Sequence, residues 1–173
     1  MPRSSKSEAV LSRALAAALC RDREFAAWLL ARTKFRAELA ECVFVRADNP
    51  WGEVRLSRQD INAGTPDLTT RQCETDVLAV FLTEAGRRLA LHIENKLASS
   101  SFTKLQPELY RARPTQWREK QNRGMYNEAT SVLVAPLAFY SRNEAAARVF
   151  DAYVSHEDLA VHLSAFRGAD GAA

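Results

Sequence analysis

Long hydrophobic runs are missing from this chain of 173 residues. No apolar stretch approaches the roughly 18 residues of a membrane-spanning helix, so an integral membrane protein is not expected. Cysteine is scarce. Cys20, Cys42 and Cys73 lie far apart and form no C-x-x-C. That spacing argues against a zinc site and suggests a reducing compartment. Histidine is equally scarce. His92, His156 and His162 lack the spacing of metal ligands, which argues against a histidine-based metal centre. A secretory leader is absent from the reading as well. Met1-Pro2-Arg3-Ser4-Ser5-Lys6 is polar and runs into an amphipathic pattern, so the expected location is cytoplasmic. No repeat and no linker interrupts the chain, which predicts one domain over 1–173 with a disordered tail from about 168 to 173.

What remains is an ordinary globular balance, 47 % hydrophobic and 26 % charged. Its informative stretch runs from Glu74 to Tyr110. Val77-Leu78-Ala79-Val80-Phe81-Leu82 and Leu89-Ala90-Leu91-His92-Ile93 are apolar runs joined by a short polar connection, the pattern of a β-hairpin. Strand alternation puts Ala90, His92, Glu94 and Lys96 on one face. Leu89, Leu91, Ile93 and Leu97 take the other, expected to be core. A hairpin returns on itself, so Asp76 at its start comes beside Glu94 and Lys96 at its end. Two carboxylates held together repel unless a cation lies between them. Mg²⁺ accepts one or two carboxylates and fills its remaining positions with water and phosphate oxygen. A lysine alongside can hold an attacking water or a phosphate. Such a set suits metal-assisted phosphodiester hydrolysis.

Asp76…Glu94-Asn95-Lys96 resembles the D…(D/E)-x-K signature of the PD-(D/E)XK nuclease superfamily. Gln106-Pro107-Glu108-Leu109-Tyr110 is similar to the Q-x-x-x-Y extension of its RecB-type and lambda-exonuclease-type branches. A chain of this length holds about 0.6 Glu-x-Lys triplets by chance, so the weight rests on the coincidence of all these parts. The resemblance implies an α/β restriction-endonuclease-like αβββαβ core with a mixed sheet, Mg²⁺ or Mn²⁺ as cofactor, and DNA as substrate. It implies Asp76, Glu94 and the Asn95 carbonyl as metal ligands, and Lys96 as the residue that positions water. Gln106 and Tyr110 would support them. The superfamily also places a glutamate on its first helix. Glu8 is the first choice for it, with Glu38 and Glu41 as alternatives. The three-cysteine count speaks against the four-cysteine iron–sulfur cluster of some RecB-type relatives.

The rest of the chain is read around that centre. Leu11, Leu15 and Leu19 predict a helix over 5–20, with Glu8 either on its inward face or in a Ser5-x-x-Glu8 capping box. Asp22 is a candidate cap for a second helix, whose pattern continues weakly through Phe35 and Leu39. Cys42 to Val45 reads as a strand or a helix end, and Glu53 to Ser57 as the first sheet strand. Pro66-Asp67 is a literal rival for Asp76, rejected because Leu68 to Cys73 is too polar for a central strand. Glu74 is either a surface acid or a water-mediated metal contact. His92 either touches substrate or is structural.

Thr103-x-x-Gln106 is one capping option for the next helix; Gln106 as cap before Pro107 is the other. Gln106, Tyr110, Arg113 and Trp117 form a stripe, and Pro114 is expected to kink or end the helix near Arg113. Lys104 to Arg123 carries six bases against two acids. Arg111, Arg113, Arg118, Lys120 and Arg123 are therefore candidate phosphate-backbone contacts, against the plainer reading of a solvated helix face. Ser131 to Pro136 predicts a buried strand, Asn143 to Phe150 a helix, Tyr153 to Ser155 a strand and His156 to Phe166 a closing helix.

The expectation is a Mg²⁺-dependent deoxyribonuclease, with a partner protein or a homo-oligomer supplying specificity. Its rivals are a catalytically silent nucleic-acid-binding or regulatory subunit and a phosphoesterase acting on small nucleotides.

Overall fold

The computed structural model describes residues 7–57, 68–120 and 125–169. Ser5, Pro66-Asp67, Arg123 and the tail beyond 169 lie outside the described residues. The class is mixed α/β.

Two helices open the chain. α1 (Glu8–Arg21) is capped by Ser7, whose hydroxyl accepts from the Val10 amide at 3.4 Å. Glu8 is thus the first helical residue. Asp22 caps α2 (Arg23–Leu30), accepting from Phe25 N at 2.9 Å. The helical pattern stops there, short of Phe35 and Leu39.

Five strands form the main sheet in the order β1 (Ala40–Arg46), β4 (Val77–Thr83), β5 (Arg88–Asn95), β6 (Glu128–Ala135), β7 (Ala152–Ser155). β4 runs antiparallel to both β1 and β5; β6 and β7 run parallel to β5. The expected hairpin is β4–β5. Its turn places Gly86 at φ +76°, a conformation that favours glycine. β2 (Trp51–Ser57) and β3 (Leu68–Glu74) form a separate antiparallel ribbon. The strand at Glu53–Ser57 therefore exists but belongs to the ribbon, and β1 takes the place beside β4.

Both faces of the sheet are covered. α1, α2 and α6 (His156–His162) lie on one side, packing Leu11, Leu15, Phe25 and Leu159 against Ala79, Leu91, Ile93 and Val132. α3 (Gln106–Lys120) and the ribbon lie on the other, packing Tyr110, Trp117, Val54 and Leu56 with Leu133 and Ala135. Continuous burial along β4, β5 and β6 follows from this double cover.

α3 runs through Pro114 without ending. Its inward stripe of Tyr110, Arg113 and Trp117 is fully buried or nearly so, and the Pro114 carbonyl accepts from Tyr126 OH at 3.0 Å. Packing here outweighs the helix bond that the proline forgoes. After β6, Pro136 starts a helix that periodicity did not indicate, α4 (Leu137–Arg142). The helix expected from Asn143 shortens to α5 (Glu144–Ala147). Ser155 caps α6, accepting from Asp158 N at 3.0 Å, and a 3-10 turn at Ser164–Phe166 follows it. No helix among the described residues is long and apolar enough to cross a membrane.

Candidate functional site

The site forms where β5 ends. Pairing of Val77 with Ile93 brings Asp76, in the bend before β4, to the level of Glu94. Asp76 Oδ2 accepts from the Asn95 amide at 2.7 Å. Glu94 and Lys96 point to the α3 side and are 2 % and 7 % exposed. Lys96 Nζ lies 2.8 Å from Glu94 Oε1. Gln106 Nε2 donates to the same oxygen at 2.6 Å, while Gln106 Oε1 accepts from the Thr103 amide at 3.0 Å. The capping contact and the site contact are thus made by the two ends of one side chain. Leu105, immediately before it, sits at φ +65°, a left-handed conformation that L side chains rarely adopt.

Asn95 is split between two layers. Its main chain faces Asp76. Its side chain turns to the α1 side, where Nδ2 donates to Glu8 O and Ser12 Oγ at 3.2 Å each. Oδ1 accepts from His156 Nε2 at 2.9 Å. Only the backbone of Asn95 therefore stays with the carboxylates. Glu8 approaches from the first turn of α1. Its Oε1 accepts from Leu97 N at 3.2 Å and from Ser100 Oγ. Glu38 and Glu41 are ruled out for this place: they pair with Arg87 and Arg23 instead.

The electrostatics are those of an anionic cluster. Burial pushes the Asp76 carboxyl up to about 8, with the negative charges of Glu94 and Glu8 adding to it against the Asn95 amide and Lys96. Burial also raises Glu94, in spite of Lys96. Lys96 loses by desolvation but gains more from Glu94, Glu8 and Asp76, so its ammonium is held above the ordinary lysine range.

Tyr110 and Arg113 complete the α3 side. The Tyr110 hydroxyl is buried beside Glu94 and Arg113, and burial followed by the Glu94 charge raises its pKa well above the usual phenol value. Arg113 stacks on the Tyr110 ring at 3.6 Å and has no exposed surface. Its Nη1 donates to Cys73 Sγ at 3.0 Å and to the Glu74 carbonyl. Arg113 is therefore unavailable to a phosphate backbone; the stripe it shares with Tyr110 and Trp117 turned it inward. Its role is to tie the ribbon to α3, a tie repeated by Gln116 on Arg55, at 2.9 Å to its amide and 2.6 Å to its carbonyl.

Of the remaining basic candidates, Arg111 is exposed and Arg118 is half-buried, donating to Asn127 O at 3.0 Å. The Lys120 side chain and Arg123 lie outside the described residues. His92 is fully buried, bonded to Tyr126 OH at 3.1 Å, with Trp117 against its ring. It sits in the core, with no surface open to solvent. The Glu74 side chain is exposed at the lip of a cleft of about 440 Å³ between the ribbon and α3, lined by Trp51, Gln72, Cys73, Gln106 and Tyr110 among others.

Ser12, Ser100, His156 and Trp51 were invisible to sequence reasoning. Ser100 sits in a serine-rich loop, where no serine is distinguished from its neighbours. His156 follows a capping serine and carries no other local signal.

Among the described residues no three Asp, Glu, His or Cys side chains are placed to ligate one ion together. Asp76 and Glu94 supply two carboxylates, the number that Mg²⁺ takes from protein when water and substrate fill its shell. Two carboxyl groups face one ammonium, and a small hard cation between them would relieve their mutual repulsion. The fold and site define a mixed α/β protein with a buried carboxylate–lysine–carboxylate cluster at a strand end. No family model, no curated protein and no solved structure matches the chain.

Proposed function

We propose that this chain is a metal-dependent nuclease of the PD-(D/E)XK type that hydrolyses phosphodiester bonds in DNA. The observation that carries the reading is the shared contact on Glu94 Oε1. Lys96 and Gln106 both reach it, at 2.8 and 2.6 Å, while Asp76 is pinned to the neighbouring amide. Three parts of a dispersed motif thus converge. The element order supports the finer fold assignment. With α2 and the β2–β3 ribbon set aside as additions, α1, β1, β4, β5, α3 and β6 follow the αβββαβ plan.

Asp76 and Glu94, with the Asn95 carbonyl, would hold Mg²⁺ or Mn²⁺. When bound, such an ion neutralises charge on the phosphoryl group and acidifies water. The protein's own part is positioning. Lys96 keeps its proton and is oriented by Glu94, so its free N–H groups are available to a water or a phosphate oxygen. Gln106 fixes the Glu94 rotamer. Glu8 adds negative charge while holding the Leu97 loop. Arg111 and Arg118 remain as candidate backbone contacts.

The test is cleavage of linear, circular and single-stranded DNA with Mg²⁺, Mn²⁺ or EDTA. Wild type should cut only with metal, and Lys96→Ala should lose about a hundredfold or more in rate. Equal inertness of the two proteins, with DNA binding retained, would replace this reading by that of a non-catalytic binding module.

A further inference from the structure

Every Phe and Tyr of the chain, and every Trp but one, is buried or half-buried; the exception is Trp51, at 68 % exposure. Its strand does not explain it. β2 alternates, with Gly52, Val54 and Leu56 inward and Trp51, Glu53 and Arg55 outward. Trp51 is thus a large apolar ring on an otherwise charged face. It stands at the wall of the cleft between the ribbon and α3. That cleft adjoins the reaction centre on two sides. Gln106, in its wall, donates to Glu94. Trp51 pairs with Glu74, and Pro50 O accepts from Thr75 N at 2.9 Å, next to Asp76.

The lining chemistry selects the occupant. Among the described residues no lysine or arginine lines the cleft, and Glu74 places a carboxylate at it. A phosphate finds no cationic side chain in that wall, because Arg113 behind it is spent on Cys73 and the Glu74 carbonyl. A flat neutral ring needs none. Gln72 offers both a donor and acceptors, and the Glu74 carboxylate accepts hydrogen bonds only. An exocyclic amine on a base edge is a donor that such a carboxylate reads. A base within a stacked duplex cannot enter a concave cleft, whereas an unpaired one can, stacking on an aromatic ring. The volume, about 440 Å³, falls in the range of small-ligand sites.

We propose that the cleft receives one unpaired nucleobase of a DNA strand, stacked on Trp51, with its exocyclic amine on Glu74. This rests on the nuclease reading for its location beside the scissile phosphate. The substrate class that follows is a single strand or a frayed end, with cytosine or adenine favoured over thymine at that position.

Binding of labelled oligonucleotides to the Lys96→Ala protein tests it without cleavage, using oligo(dC), oligo(dT) and a blunt duplex. Oligo(dC) should bind more tightly than oligo(dT), and the duplex most weakly. Adding Trp51→Ala should weaken oligo(dC) binding by about tenfold or more, as loss of base stacking does. Adding Trp51→Phe should retain most of the affinity, which separates stacking from a folding defect. Adding Glu74→Ala should erase the preference for dC over dT. Trp51-dependent binding of single strands upholds the cleft whether or not wild type cuts DNA. Equal oligo(dC) binding with and without Trp51, or duplex bound as tightly as single strand, overturns it even if cleavage is demonstrated.

Discussion

The two layers that enclose β5 treat their buried polar groups differently. On the α1 side, Asn95 is saturated: both polar atoms of its side chain are bonded, to Glu8 O, Ser12 and His156. On the α3 side, buried polar atoms among the described residues go without a hydrogen-bond partner. They include His92 Nδ1, Arg113 Nε and Trp117 Nε1. Satisfied networks rigidify, while each orphaned group costs free energy that the fold must offset. The α1 layer therefore reads as the foundation. The α3 layer holds groups whose arrangement is not explained by stability, which is where function is expected to reside.

Substitutions in the two layers should have opposite consequences. The largest stability effect should come from the saturated side. Asn95→Ala would remove the hydrogen bonds that Asn95 makes with His156 Nε2 and Ser12 Oγ, at about 1–3 kcal/mol for each atom left unsatisfied. Urea denaturation measures it, and a loss below about 1 kcal/mol would remove the distinction between the layers.

Asp76→Asn should act in the opposite direction. Asn keeps an oxygen to accept from the Asn95 amide and removes the repelled charge. The folded carboxyl titrates at about 8 against a usual 3.8. The folded state thus holds the proton more tightly than the unfolded one. Its stability contribution is full below the unfolded value and is lost as pH climbs from about 4 through 8. In EDTA the variant should exceed wild type above pH 8 by more than about 1.4 kcal/mol, the worth of one pKa unit. Thermal melts across that range read the difference. Mg²⁺ should stabilise wild type and leave the variant unmoved.

Trp117→Phe should have the smallest effect. It deletes a donor that bonds nothing and leaves a small void, so the loss should stay well below the ~3–5 kcal/mol of truncating a buried aromatic to alanine. A larger loss in chemical denaturation would mean that the indole N–H is engaged after all.

Much of the site was legible before the structure, and the reason is local periodicity. Alternation along Leu89 to Lys96 put Glu94 and Lys96 on one face, and hairpin return brought Asp76 to them. Helical spacing put Gln106 and Tyr110 together, and likewise turned Arg113 inward, although its charge suggested a surface role. Charge is a poor guide when the stripe says otherwise. The ribbon was harder. Trp51 to Ser57 alternates as any half-buried strand does, and nothing in that pattern says which sheet it joins. Contacts such as His156 on Asn95 span 61 residues and leave no periodic trace. Pro114 misled because a local rule met a helix held by its neighbours.

Glu94, Asn95 and Lys96 are consecutive, yet their side chains grip opposite layers. The Asn95 amide is held by Asp76, and the Lys96 amide by Val134 O at 2.8 Å. Neither can meet solvent by a local fluctuation, because peeling this tripeptide away detaches helices on both sides at once. Hydrogen exchange at these two amides should run at the rate of global unfolding. The carboxylate–lysine cluster should thus be among the last parts of the chain to breathe, although the cleft beside it is walled by a ribbon of only two strands.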